Sequence, residues 1–162
     1  MTNRFTKAAL AATFATAAFA STGAHAATAT ATARAQILQQ LTVTRTADLD
    51  YATIVTGAAA STVVVTPGGV RTCGVGLVCT GTATAAAFNV VGTIGQVATV
   101  SVPATVSLVS GGNTMSSTLV SSTALMTLAA VNNFQVGGTL SVGASQADGA
   151  YAGVFTVTVN YQ

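Results

Sequence analysis

The residues of this chain best equipped for chemistry are two aspartates, Asp48 and Asp50, set two positions apart. On a β-strand residues i and i+2 share a face, so the pair is placed for glycosidase-like acid–base work or for a hard cation. Their neighbours Leu49, Tyr51 and Ile54 favour another reading: a strand-edge segment whose aspartates are solvated or bind backbone amides at a turn. His25 is the sole histidine and Lys7 the sole lysine. Beyond residue 26, then, no histidine can act as base and no lysine can replace it. The glycine-rich pieces Gly92-Thr93-Ile94-Gly95 and Gly137-Gly138 lack the following helix or lysine that a phosphate loop needs, and read as turns. We therefore expect no catalytic residue, no metal ligand, no cofactor and no enzyme.

The elements that hold these residues begin after a leader. Arg4 and Lys7 make a basic start, residues 8–20 are an apolar run, and Ala24-His25-Ala26 is an A-x-A cleavage site. Residues 1–26 read as a secretory signal, cleaved on export. No other stretch approaches the ~18 apolar residues a membrane-spanning helix requires, so no membrane insertion is expected. Past the leader, Arg34, Arg45 and Arg71 stand against Asp48, Asp50 and Asp148, a net charge of zero. A neutral, lysine-free surface lacks the field that attracts phosphates, which excludes nucleic acid as a partner. It also lacks the usual electrostatic defence against self-association. Each of the three arginines reads as solvated.

Export changes the meaning of Cys73 and Cys79, which enclose Gly-Val-Gly-Leu-Val. The spacing is too wide for a C-x-x-C redox motif, and no histidine accompanies it for metal binding. A structural disulfide is the expectation, at the tip of a hairpin where Gly74 and Gly76 allow the bend. So short a loop is worth about 2 kcal/mol.

The remaining chain is built of Ala, Val, Thr, Ser and Gly, in short alternating runs punctuated by glycine. Residues 27–33 alternate Ala and Thr, and 37–44, 48–54, 61–66, 84–91, 98–102, 105–109, 115–121, 125–129 and 134–143 follow. Pro67-Gly68-Gly69 closes one run, and Pro103, unable to donate to a ladder, marks a break or an edge. Residues 33–41 could instead make a helical stripe through Ile37, Leu38 and Leu41, but strand is preferred because the flanking alternation has period two. Eight or nine short strands without an internal helix predict an all-β sandwich.

The best strand lies at the end. From Gly149 to Gln162, Tyr151, Phe155, Val157, Val159 and Tyr161 fall on one face and Ala150, Ala152, Val154, Thr156, Thr158 and Asn160 on the other, so one face should enter a core.

Three stretches, Ala47-Asp48-Leu49-Asp50-Tyr51-Ala52-Thr53-Ile54, Phe134 to Val142 and Gln146 to Tyr161, together resemble the DUF4402 family of exported bacterial domains. The likeness covers about residues 41–162. Where the family usually carries phenylalanine–glycine, this chain has Tyr51-Ala52. DUF4402 domains are similar in turn to spore-coat-U and chaperone–usher pilin subunits. The C-terminal stretch is similar to the pilin pattern, with Tyr161 penultimate and Gly149 fourteenth from the end. The resemblance implies an immunoglobulin-like sandwich over residues 41–162 in which Gly149, Tyr151, Phe155, Val157, Val159 and Tyr161 mark a strand that pairs with a chaperone or another subunit. The implied partners are further copies of the chain, as a homopolymer, together with a periplasmic chaperone and an outer-membrane usher. The implied route runs through the periplasm to the cell surface. Many usher pilins join distant strands by a disulfide, whereas this pair is local.

A sandwich lacking its last strand can be completed by an extended segment of a neighbour. Within the extension over residues 27–40, the candidate donor is 27–37, with Ala29, Ala31, Ala33, Ala35 and Ile37 pointing into the groove; a linker or a strand pairing within its own domain are the alternatives. The expected protein is a pilin-like fibre or matrix subunit. The rival is a monomeric adhesive or carbohydrate-binding module, which would need exposed aromatic rings, and the chain has no tryptophan.

Overall fold

The structure, a computed structural model, describes residues 26–162; the signal expected over residues 1–26 lies, but for Ala26, outside the described residues. Residues 26–41 form no regular element. The strand expected over 33–41 is therefore not formed. A strand is stable only when its main-chain groups find a ladder, and this stretch pairs with none.

Twelve strands follow: β1 (Thr42–Ala47), β2 (Thr53–Val55), β3 (Ser61–Val65), β4 (Arg71–Cys73), β5 (Val78–Thr80), β6 (Ala86–Val91), β7 (Val97–Ser101), β8 (Thr105–Ser110), β9 (Asn113–Ser121), β10 (Leu125–Thr127), β11 (Asn133–Val142) and β12 (Thr158–Tyr161). No helix occurs among the described residues. The fold is an all-β, sandwich-like arrangement of antiparallel sheets.

One layer is a seven-stranded sheet organised around the ten-residue β11. β6 pairs residues 133–136 of β11, and β3 pairs residues 138–142. β1 extends β6 and β4 extends β3, while β9 runs along residues 136–141 and carries β8. Two smaller sheets, β10-β7-β12 and β2-β5, supply the other layer. The alternation read from sequence decides which side chains lie between. Phe88, Val90, Phe134 and Val136 of the large sheet meet Ala98, Val100 and Val159 of the three-stranded sheet in one core, with Phe88 and Phe134 stacked at 5.1 Å. Val63, Val65, Leu140 and Val142 meet Tyr51, Ile54 and Cys79 in a second.

The Cys73–Cys79 disulfide is present, but it does not staple a hairpin. Cys73 lies on β4 of the large sheet and Cys79 on β5, which pairs with β2, so the bond ties one layer to the other across a Cα–Cα distance of 6.3 Å. Gly137-Gly138 is not a turn either. It sits within β11, where the missing side chains permit close approach: a Cβ at Gly137 would meet the Pro67 nitrogen at 2.6 Å, and one at Gly138 the Thr118 carbonyl oxygen at 2.7 Å. The Pro67-Gly68-Gly69 turn is found where expected, Gly69 N–H donating to the Thr66 carbonyl at 2.8 Å.

Ala52 has φ +59°, in the left-handed region that favours glycine. Its N–H donates to Asp50 Oδ1 at 2.7 Å, which fixes the bend before β2. Holding a Cβ in the left-handed region costs about 1–2 kcal/mol, and a glycine returns about 0.5–1 kcal/mol of that as unfolded-chain entropy. Ala52→Gly should therefore stabilise the protein by about 0.5–1 kcal/mol, opposite in sign to an ordinary Ala→Gly change. Urea unfolding measures it; a destabilisation would refute this account of the bend.

Candidate functional site

The polar residues singled out for chemistry serve the scaffold. Asp50 accepts the Ala52 amide, and its own main chain exchanges two bonds with Thr84 at 2.9 Å. Asp48 pairs with Arg45 at 2.7 Å on the open surface. No cluster of three or more His, Cys, Asp or Glu able to hold a metal occurs among the described residues.

Arg71 is not the solvated residue the sequence suggested. From β4 its Nη1 donates to the Tyr51 carbonyl at 3.1 Å and the Thr80 carbonyl at 3.0 Å, and its Nη2 to the Gly81 carbonyl at 3.1 Å. Beside the disulfide it forms a second tie between the layers, one that nothing in the flanking sequence signals. Tyr51 supplies a third. Its buried hydroxyl contacts Ser117 Oγ at 2.5 Å, and Ser117 in turn donates to the Thr118 carbonyl at 3.0 Å. Burial pushes the Tyr51 phenol above its ordinary value, and the Ser117 bond opposes part of that rise. Tyr51 thus stays a neutral donor across the physiological range.

These ties hold residues 49–56 as one wall of a cavity of about 580 Å³. Residues 146–151 form the facing wall, and Leu108, Met115, Leu140 and Val142 the apolar floor. Tyr151 lines it, its hydroxyl accepting from Gln146 Nε2 at 2.8 Å and donating to the Ala147 carbonyl at 2.9 Å. Gly149 lies in the same wall.

Beyond the cavity the C-terminal stretch departs from the continuous strand expected of it. Ala152 bridges Val109, but Gly153 to Val157 make no main-chain hydrogen bond within the described residues, and β12 is only four residues long. The register explains the truncation. Thr158 faces Ser101 of β7, so continuation would place Thr156 opposite Pro103, which has no N–H to give. The facing is as expected. Val159 is buried, Phe155, Val157 and Tyr161 are half-buried, and the residues between them are exposed. Phe155 meets Phe88 edge-on at 6.4 Å. Tyr161 closes the end, its hydroxyl accepting from Thr93 N–H at 2.7 Å and donating to the Gln39 carbonyl at 2.6 Å.

Among the sheet edges, β12 pairs with β7 alone and β1 with β6 alone; β10 beside β7, β4 beside β3 and β8 beside β9 are edges as well. On β1, Val43 and Arg45 share the face of their partners Val90 and Phe88, yet Val43 is 37 % exposed and the Arg45 side chain 66 %. The second layer does not reach over β1. Of the candidate donor residues, Ala29, Ala31, Ala33 and Ala35 are exposed in irregular chain, and Ile37 is 92 % exposed.

Residues 41–161 match the family described as "Domain of unknown function (DUF4402)". No curated protein and no solved structure matches the chain.

Proposed function

The chain belongs to the DUF4402 family, and from that premise we propose that it is an exported structural subunit that polymerises by strand exchange, with no catalytic role. The observation that carries the reading is the incomplete second layer, with β12 and residues 153–157 unpaired on one side and the inner face of β1 uncovered on the other. Unpaired main chain beside an apolar floor is the condition under which an extended segment adds as a strand, its main-chain bonds supplying affinity and its alternate side chains register. Residues 27–37 of a second copy are the proposed occupant. Eleven residues at roughly 3.3 Å each span about 36 Å, enough for the whole open edge, with Ala29, Ala31, Ala33, Ala35 and Ile37 facing inward. Until it is filled, the groove would be shielded by a periplasmic chaperone, and assembly would pass through an outer-membrane usher. Arg45, pointing inward on edge strand β1, is a charge of the kind that blocks indiscriminate pairing.

The rival binding module finds less support. Among the described residues Phe88, Phe134 and Tyr51 are buried and Phe155, Tyr151 and Tyr161 half-buried, so no exposed ring offers a sugar platform.

The test compares the protein beginning at Ala27 with a version beginning at Gln39, which keeps the bonds to Thr93 and Tyr161. The longer chain should form ladders that resist SDS, because a filled groove opens only by unfolding. The shorter one should stay monomeric and melt at lower temperature. Two equally stable monomers would overturn the proposal in favour of the binding module.

A further inference from the structure

Residues 27–162 contain no lysine and three arginines, Arg34, Arg45 and Arg71. Two are held by the fold. Arg45 sits within the β1 ladder opposite Phe88 and pairs with Asp48, and the Arg71 guanidinium is engaged by three carbonyls. Arg34 is exposed in irregular chain, between Ala33 and Ala35. The first hydrogen bonds downstream are at Gln39, whose N–H donates to Thr93 Oγ1 at 2.7 Å and whose carbonyl accepts from Tyr161 at 2.6 Å.

We propose that the Arg34–Ala35 bond is a processing site for an arginine-specific protease of the trypsin class, and that the cut regulates assembly. Such a protease takes its substrate as an extended strand several residues long, with the guanidinium in a carboxylate-bearing pocket. Folded domains are cut only where that length of chain is available without unfolding. Residues 31–37 satisfy this: they are exposed and make no hydrogen bond among the described residues, small residues flank the arginine, and no proline follows it. Water adds across the bond, leaving a carboxylate on Arg34 and a new amino terminus on Ala35. The product keeps Gln39, the groove and β12 but loses Ala29, Ala31 and Ala33. On the strand-exchange reading, which this part rests on, a cut subunit accepts a donor but cannot give one, and so ends a growing chain.

Brief digestion of the purified native protein with trypsin, read by intact mass, tests the site. The expected domain product is Ala35–Gln162, appearing about 100-fold faster than any cut at Arg45 or Arg71, since those require opening of the fold. Cuts at Arg4 or Lys7, where the leader is retained, leave that product unchanged. Arg34→Gln should abolish it. A domain fragment beginning at Thr46 or Thr72, or no cleavage at Arg34, would overturn the proposal. For the regulatory half, cut protein is added to intact subunits; shorter ladders support it and unchanged ladders refute it. If intact subunits form no ladders, strand exchange fails and regulation with it, whereas the cleavage site is judged on the fragments alone.

Discussion

Gly138→Ala is expected to destabilise the protein by about 3 kcal/mol. The new Cβ would lie 2.7 Å from the Thr118 carbonyl oxygen and 2.8 Å from Ser117 Oγ, and against the Tyr51 hydroxyl. The first of these is main chain of a neighbouring strand and cannot swing aside. Overpacking in a well-filled core costs about 1–3 kcal/mol. Displacing Tyr51 would also leave Ser117 with one partner fewer in a buried site, another ~1 kcal/mol or more. Against a total stability of about 5–15 kcal/mol the loss should lower the melting temperature by about 10 °C. Gly68→Ala is the control: its Cβ would meet only Thr66 Oγ1, at 3.8 Å, and the change should be close to neutral. Thermal unfolding of both variants decides the matter. Equal melting temperatures would mean that β11 can shift, and that the glycine pair is not there for close approach.

That glycine pair shows what alternation can and cannot reveal. Period-two runs located most of the twelve strands and the inward facing of Phe155, Val157, Val159 and Tyr161, because burial on one face acts on every second residue whatever the strand pairs with. They could not reveal pairing. Gly137-Gly138 reads as a turn by composition, and its place inside β11 depends on Tyr51 and Pro67, about 86 and 70 residues away along the chain, needing the room. The C-terminal alternation likewise runs past the ladder, since Pro103, two residues beyond β7, ends the pairing from the far side. Residues 33–41 read as strand from the period-two alternation that flanks them, yet no strand among the described residues completes them. β4 and β5 are three residues each, too short for a period to show. The candidate site followed the same division. Its residues were legible as a strand edge, while the cavity between residues 49–56 and 146–151 arises from tertiary placement alone.

The cross-layer ties carry the other large effect. Arg71 joins β4 to the carbonyls of Tyr51, Thr80 and Gly81, and through them holds the β2-β5 sheet that walls the cavity. Removing the guanidinium by Arg71→Ala should cost about 2–3 kcal/mol, since charge-assisted hydrogen bonds are worth about 1.5–3 kcal/mol and these are half-exposed. Arg71→Lys should recover little of it, because an ammonium cannot present the planar fork that reaches three carbonyls at once. The disulfide restrains the same two strands, so the losses should not add independently. In the oxidised protein Cys73–Cys79 still limits how far β5 can leave, whereas in Cys73→Ser/Cys79→Ser only packing and the Tyr51–Ser117 contact do. The double-mutant cycle should therefore show a coupling of at least about 0.5 kcal/mol. Amide exchange at Thr53–Val55 and Val78–Thr80 should rise before global unfolding, marking release of this small sheet as a local unit. Strict additivity, with exchange uniform across the molecule, would mean that the sheet is held by its apolar contacts to Leu140 and Val142 and that the cavity wall does not depend on Arg71.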